Sequence, residues 1–129
     1  MPEQHQRPLQ GKKGLVLGIA NDNSIAYGCA HAFRRLGAEL AITYLNEKAR
    51  PYVQPLAEQF EAPIFLPCDV QHEGELEAVF AAIAERWGRL DFALHSIAFA
   101  PRQDLHCRVV DSSKEGFAQA MDVSCHSFI

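Results

Sequence analysis

Short apolar runs alternate along this chain with longer segments in which apolar residues recur every three or four positions. The runs at 15–19, 40–45, 64–66 and 92–97 are largely free of polar residues. Strands that read this way are buried on both faces, as in a parallel sheet covered by helices. Between the first two runs, Ile25, Cys29, Ala32, Phe33 and Leu36 have the spacing of one helix face, and Gly37 is placed to end that helix. Val53, Leu56, Ala57 and Phe60 repeat the pattern, and Leu76, Val79, Phe80, Ile83 and Trp87 do so again ahead of Gly88. The predicted order is βαβαβαβ. Right-handed crossovers make it one half of a doubly wound, Rossmann-like parallel α/β sheet.

Beyond residue 97 the rhythm breaks in a Pro- and charge-containing segment, FAPRQDLHCRVVD. Ser112 and Glu115 then have the spacing of a capping box, which predicts a helix beginning at Ser112. The apolar pattern is still running at Ile129. The expected organisation is a polar N-terminal segment over 1–13 and one nucleotide-binding domain over 14–129, incomplete at its C-terminus.

With 129 residues, 48% of them hydrophobic, the chain can bury one moderate core. A net charge of −4 offers no broad basic field for nucleic acid or an anionic bilayer, so a small molecule or another protein is the expected partner. The first fourteen residues lack the apolar stretch of a signal peptide and no later run is long enough to span a membrane, which predicts a soluble, cytoplasmic protein. Cys29, Cys68, Cys107 and Cys125 form no CxxC pair and read as free thiols of a reducing compartment. His5, His31, His72, His106 and His126 are scattered without metal-ligand spacing, and no metal is expected. His95, at the end of a buried strand, reads as structural rather than as a general base. Trp87 and the phenylalanines at helical spacing read as core.

In a doubly wound sheet the ligand lies outside the carboxyl ends of the strands, beside the turn after the first strand, where helix N-terminal amides face an anion. The stretch GIANDNSIAYG, residues 18–28, stands at that turn, although neither GxGxxG nor GxxxxGK[ST] can be written through it. Gly18 allows a sharp turn and a close approach of diphosphate. Ser24 can cap the next helix and offer a hydroxyl, while Ile25 and Ala26 supply first-turn amides. A polar loop with a Ser cap would account for the same Gly and Ser without any ligand. Tyr44, Leu45, Asn46 and Glu47 follow the second strand, where a ribose would lie, and no basic residue immediately follows Tyr44 to meet a 2′-phosphate. After the third strand, Asp69 can accept from an adenine amino group with Val70 on the ring, or it can cap the third helix. After the fourth comes HSIAFAP, 95–101, whose small residues can admit a planar ring.

Taken together, GIANDNSIAYG, GAELAITYLNEK, CDV, HSIAFAP and EGFAQAMDVSCHSF resemble, in order and spacing, the enoyl-[acyl-carrier-protein] reductases, a divergent branch of the short-chain dehydrogenases/reductases. The resemblance covers nearly everything after Lys12. Members of the wider superfamily carry TGxxxGxG and NAG, where this chain has Ser-Ile-Ala and HSIA. It implies NADH-dependent reduction of the trans-2 double bond of an enoyl thioester held on acyl carrier protein, in bacterial type II fatty-acid synthesis, by a complete protein that is a homotetramer. Carried over to this chain, Gly18, Ser24 and Ile25 meet the diphosphate, and Asp69 and Val70 the adenine. Ser96, Ile97 and Ala98 line the ribose and nicotinamide side, and Phe99 and Ala100 border the acyl pocket. Leu45 stands where many members carry Gln, and Ala98 where Gly is common.

In that family the chemistry uses a Tyr followed seven positions later by a Lys: the phenol stabilises the enolate oxygen and the ammonium holds the cofactor ribose. Seven positions after Tyr27, Tyr44 and Tyr52 lie Arg34, Pro51 and Gln59. The expectation is an N-terminal portion of such a reductase, with no catalytic residue of its own and no turnover alone. Two other readings are a non-catalytic nucleotide-binding module and a ketone or alcohol dehydrogenase of the wider superfamily. The second would require the GxxxGxG glycines, which are absent.

Overall fold

Four strands, β1 (Lys13–Leu17), β2 (Glu39–Tyr44), β3 (Ile64–Pro67) and β4 (Phe92–His95), form one all-parallel sheet in the order β3-β2-β1-β4. The structure, a computed structural model, describes residues 7–129; residues 1–6 of the polar segment expected at 1–13, His5 among them, lie outside the described residues. The chain divides into two compact units, the first ending at Ser96 and the second running over Ile97–Ile129.

Helices α1 (Ile25–Arg35), α2 (Arg50–Gln59) and α3 (Glu75–Trp87) connect the strands. Val16, Leu40, Ile42 and Tyr44 point to the face where Ala26 and Ala30 of α1 and Val53 and Ala57 of α2 pack, with Phe60 closing the layer. Leu15, Leu17, Ala41 and Thr43 point the other way and are equally buried. The sheet grows from β1 toward β3 and then jumps back to β4. Right-handed crossovers in opposite directions put α3, with buried Val79 and Ile83, on that second face.

The expected elements are present, with boundaries moved by one or two residues and four substantive differences. First, α1 buries Ala26 and Ala30, flanked by half-buried Tyr27 and Phe33, whereas Ile25 is 82% exposed and Ala32 and Leu36 are also exposed. Small residues let the helix backbone lie close on β1 and β2, and the bulkier apolar residues that set the sequence period are displaced to its flanks. Second, β4 ends at His95 and is only partly covered, with Ala93 exposed, because it has a single neighbour, β1, at this edge. Third, Phe80, read as core, is 45% exposed. Fourth, the last long helix, α5 (Lys114–Ser124), is capped by Ser113 and not Ser112: Ser113 Oγ accepts the Gly116 amide at 2.9 Å. Ser112 Oγ donates instead to the Val109 carbonyl at 2.7 Å, closing a 3-10 turn over Val109–Asp111. The irregular segment before it also contains one short helical turn, α4 (Arg102–Leu105).

Gly37 does end α1. Its φ of +104° lets its amide reach Arg34 O and the Ala38 amide reach Phe33 O, the paired bonds of a Schellman cap. Gly14 lies opposite Phe92 in the ladder, and a Cβ on Gly14 would fall 2.2 Å from that ring. The bare backbone therefore makes the space in which Phe92 meets Phe33 edge-on, at 4.8 Å between centroids.

Lys13 ties the amino end of the sheet together. Its ammonium pairs with Glu39 at the start of β2 and lies 5.5 Å from the centre of the Trp87 ring, and its amide donates to Asp91 Oδ2 at 2.7 Å. The Lys13 hydrogen bonds hold both carboxyls, Glu39 and Asp91, below their ordinary pKa values. A carboxyl with a depressed folded pKa contributes stability above its unfolded pKa and loses it as pH falls through the folded value. The two contributions should thus be complete above roughly pH 5 and fade on further acidification. In an acid titration followed by circular dichroism, Glu39→Gln with Asp91→Asn should lower stability at neutral pH and flatten its decline below pH 5. An acid profile identical to the parent's would contradict this.

Candidate functional site

The strand order reverses between β1 and β4, and at such a switch point the carboxyl ends of a parallel sheet leave a crevice. Gly18 directly follows β1 at this point. The Ser96 amide donates to Leu17 O at 3.0 Å, so β4 stays against β1 to the last residue of the first unit. A Cβ on Gly18 would stand 1.9 Å from the Ser96 carbonyl oxygen, and Gly18 has a φ of +105°. Both the close approach and the left-handed backbone require glycine here.

The loop that follows is organised by Asn21. Its carbonyl accepts both the Ser24 amide at 3.2 Å and the Ser24 hydroxyl at 2.6 Å, and its Oδ1 accepts the Asn23 amide at 2.9 Å. Ser24 occupies the N-cap position of α1 with extended backbone, but its side chain makes no capping bond. The expected cap is therefore corrected: the hydroxyl proton goes back into the loop, and Ser24 Oγ can donate to a phosphate only by leaving Asn21. Sequence reading passed over Asn21, although an Asn side chain commonly closes a turn on the amide two positions on, as Asn21 does with Asn23.

At the head of α1 the amides of Ile25 and Ala26 have no acceptor within the helix. No acidic side chain stands in the first turn, and Ile25 is exposed. These are the conditions for an anion at a helix N-terminus. Leu45, 54% exposed, follows β2. Arg50 lies 5.7 Å from the centre of the Tyr44 ring and 3.6 Å from Glu47, whose Oε1 accepts the Tyr44 phenol at 3.3 Å. Burial, then the Glu47 charge, raises the Tyr44 pKa.

Asp69 follows β3 and does not cap α3, which starts at Glu75 with Gly74 as its N-cap. Asp69 Oδ1 accepts the Gln71 amide at 2.9 Å, an Asx turn that leaves the carboxylate further acceptor capacity for an amino group. Val70 is half-buried beside it. Burial and the carboxylates of Glu75, Asp69 and Glu77 push the neighbouring Cys68 thiol up to about 11, which keeps it protonated and unreactive. All four cysteines are free, and among the described residues no three His, Cys, Asp or Glu side chains gather to hold a metal ion. His95, half-buried at the end of β4, pairs in register with Leu17. Among the described residues no helix is long and apolar enough to cross a membrane.

Gly18, Ser24, Ile25, Leu45, Asp69, Val70 and Ser96 thus all lie at the carboxyl edge of the sheet. Together they offer amides for an anion, an uncharged surface after β2 and a carboxylate after β3, a donor and acceptor set that fits a dinucleotide. Ile97, Ala98, Phe99 and Ala100 open the second unit. There the Phe99 amide donates to Ser124 Oγ at 2.9 Å and Ser124 Oγ donates to the Phe99 carbonyl at 3.1 Å. The start of this unit is thereby locked to the end of α5. Asp104 Oδ1 accepts the Ser113 amide at 2.5 Å, which fixes α4 against the α5 cap. Nothing in the sequence period signals either tie, because each joins residues across an irregular segment.

A family model described as enoyl-(acyl carrier protein) reductase matches residues 18–129. Over 120 residues the chain is 43% identical to enoyl-[acyl-carrier-protein] reductase [NADH] 2 of Rhizobium meliloti, a span of 93% of this chain and 45% of that protein. The crystal structure of the Anaplasma phagocytophilum reductase in complex with NAD matches with a TM-score of 0.88 and 43% identity, over 93% of this chain and 46% of that one. For the Bacillus cereus reductase, solved with NADP+ and indole naphthyridinone, the TM-score is 0.87 at 41% identity, over 92% and 47%. The chain spans somewhat less than half the length of these relatives. A match that runs from the turn at Gly18 through the carboxyl ends of all four strands leaves one conclusion, that the chain belongs to the enoyl-acyl-carrier-protein reductase family.

Proposed function

We propose that this chain is the cofactor-binding part of an NADH-dependent enoyl-acyl-carrier-protein reductase acting on the trans-2 double bond of enoyl thioesters in type II fatty-acid synthesis. The observations that carry the reading are the reversal of strand order between β1 and β4, the close approach of Gly18 to the Ser96 carbonyl there, and the start of α1 beside it free of acidic side chains. On this reading residues 14–129 act as one cofactor domain behind the polar segment 1–13. The amides of Ile25 and Ala26 hold the diphosphate, with Ser24 adding a hydroxyl when it exchanges Asn21 for phosphate. Leu45 lies along the adenosine ribose. Asp69 accepts the adenine amino group while Val70 packs on the ring. Ser96, Ile97 and Ala98 face the nicotinamide side, and Phe99 and Ala100 border the acyl chain.

When bound, the reduced nicotinamide supplies a hydride. The residues of this chain bind and orient it. The partner is an acyl carrier protein bearing the enoyl group, the complete protein is a homotetramer, and the free thiols and the relatives' chemistry suit a cytoplasmic enzyme.

NADH is favoured over NADPH because the residue after Tyr44 is uncharged and Arg50 is already committed to Tyr44 and Glu47. A 2′-phosphate entering there meets the Glu47 carboxylate, on which Arg50 is already held, and one unpaired charge of this kind is worth about a factor of ten in affinity. Fluorescence titration of the chain with each reduced cofactor should give at least that ratio in favour of NADH. Equal affinities would mean that Lys48 or Arg50 turns to meet the phosphate, and no binding of either would overturn the proposal.

A further inference from the structure

Glu75 has no part in the reading above, yet it closes the turn on which the adenine contact stands. Its Oε2 accepts the Asp69 amide at 2.5 Å, six residues back along the chain. Its Oε1 lies 3.5 Å from His72 Nδ1, and His72 Nε2 lies 4.0 Å from Asp69 Oδ2. The His72 amide in turn donates to the Asp69 carbonyl at 2.9 Å. The turn is therefore tied to itself at both ends. Gly74, at φ +87°, bends the chain so that Glu75 becomes the first residue of α3, where the helix dipole favours a negative charge. The Glu75 side chain is 30% exposed and that of Asp69 22%, and the bond from the Asp69 amide to Glu75 is part-buried. The Glu75 charge also contributes to the raised pKa values of Cys68 and Tyr44, as expected of a carboxylate seated where β2 and β3 end.

We infer that Glu75 is a positioning residue for the nucleotide: by accepting the Asp69 amide it fixes the backbone of Asp69 and Val70, and with it the direction in which the Asp69 carboxylate is presented. The inference rests on the proposed adenine contact of those two residues. Without an acceptor the partly buried Asp69 amide is unsatisfied, the turn samples other arrangements, and a nucleotide must order it on binding. The carbonyl oxygen of glutamine can take the same amide; alanine offers nothing.

ADP affinity and Asp69 amide hydrogen exchange, measured on the full chain and its Glu75→Ala and Glu75→Gln variants, test this. Glu75→Ala should weaken ADP about tenfold or more, the low end of one hydrogen bond to a charged group, and speed exchange at Asp69 while leaving exchange at Ile42 in the sheet centre unchanged. Glu75→Gln should bring both back close to the parent values. Unchanged ADP affinity in Glu75→Ala, or a Gln variant as impaired as the Ala variant, overturns the positioning role. Faster exchange throughout the sheet would overturn it as well, in favour of a general loss of stability. A parent chain that does not bind ADP sinks the nucleotide reading instead, and the hold of Glu75 on Asp69 is then decided by the exchange rates alone.

Discussion

Gly18→Ala should cost about 3 kcal/mol or more of stability and remove cofactor binding with it. Two penalties act together. A φ of +105° is strained for any residue with a Cβ, and the added methyl would lie 1.9 Å from the Ser96 carbonyl oxygen. That neighbour is backbone, held by the Ser96 amide on Leu17, so it cannot swing away as a side chain would. Relief requires β4 to part from β1 at the crevice itself. For a chain of this size the loss corresponds to a fall in melting temperature on the order of 10 °C. The second glycine of the same stretch is the internal control. Gly28 lies inside α1 with no atom within 4 Å of its absent Cβ, so Gly28→Ala should be neutral or raise stability by up to ~1 kcal/mol. Thermal unfolding of the two variants beside the parent decides the matter. A Gly18→Ala chain that melts within a degree or two of the parent would mean that the β1–β4 junction is not closed as described.

The second large effect is an absence of turnover. The 129-residue chain should bind NADH and leave crotonyl thioesters unreduced at any enzyme concentration that can be assayed. As hydride arrives, negative charge grows on the thioester oxygen, and a donor must be placed to meet it. None of the three tyrosines has a lysine seven positions on. Tyr27 is packed 5.5 Å from Phe60, Tyr52 stands exposed on α2, and the Tyr44 phenol, its pKa raised, is held on Glu47. Hydride transfer needs both a bound cofactor and this donor, so loss of the donor alone suffices to stop it. Measurable NADH oxidation dependent on crotonyl thioester would show that another group in this chain serves as the donor.

Much of the fold was legible because its parallel strands are continuous apolar runs. Leu15, Val16, Leu40 and Ile42 are fully buried, as strands covered on both faces require. The helix faces were less legible. In α1 the sequence period follows the large residues Ile25, Phe33 and Leu36, but the sheet selects Ala26 and Ala30, because proximity to the strands is set by the smallest side chains. The cap was misread where two serines adjoin: the capping-box spacing to Glu115 favours Ser112, but Asp104, which binds the Ser113 amide and hydroxyl, selects Ser113. At the candidate site, the position of Gly18, Ser24 and Asp69 at strand ends followed from the element order. What they bond to did not. The ties of Ser24 to Asn21, Asp69 to Glu75 and Phe99 to Ser124 depend on loop geometry that no periodicity encodes.

The most direct test of the central claim is an amide chemical-shift map of the full chain titrated with NADH. Saturable shifts should concentrate at Gly18, Ile25, Ala26, Asp69, Val70 and Ser96. Amides at the opposite end of the sheet, such as Lys13, Glu39 and Asp91, should stay still. Shifts centred on that amino end, or on the arginines 7, 34 and 35 beside it, with the six carboxyl-edge amides unmoved, would contradict the account.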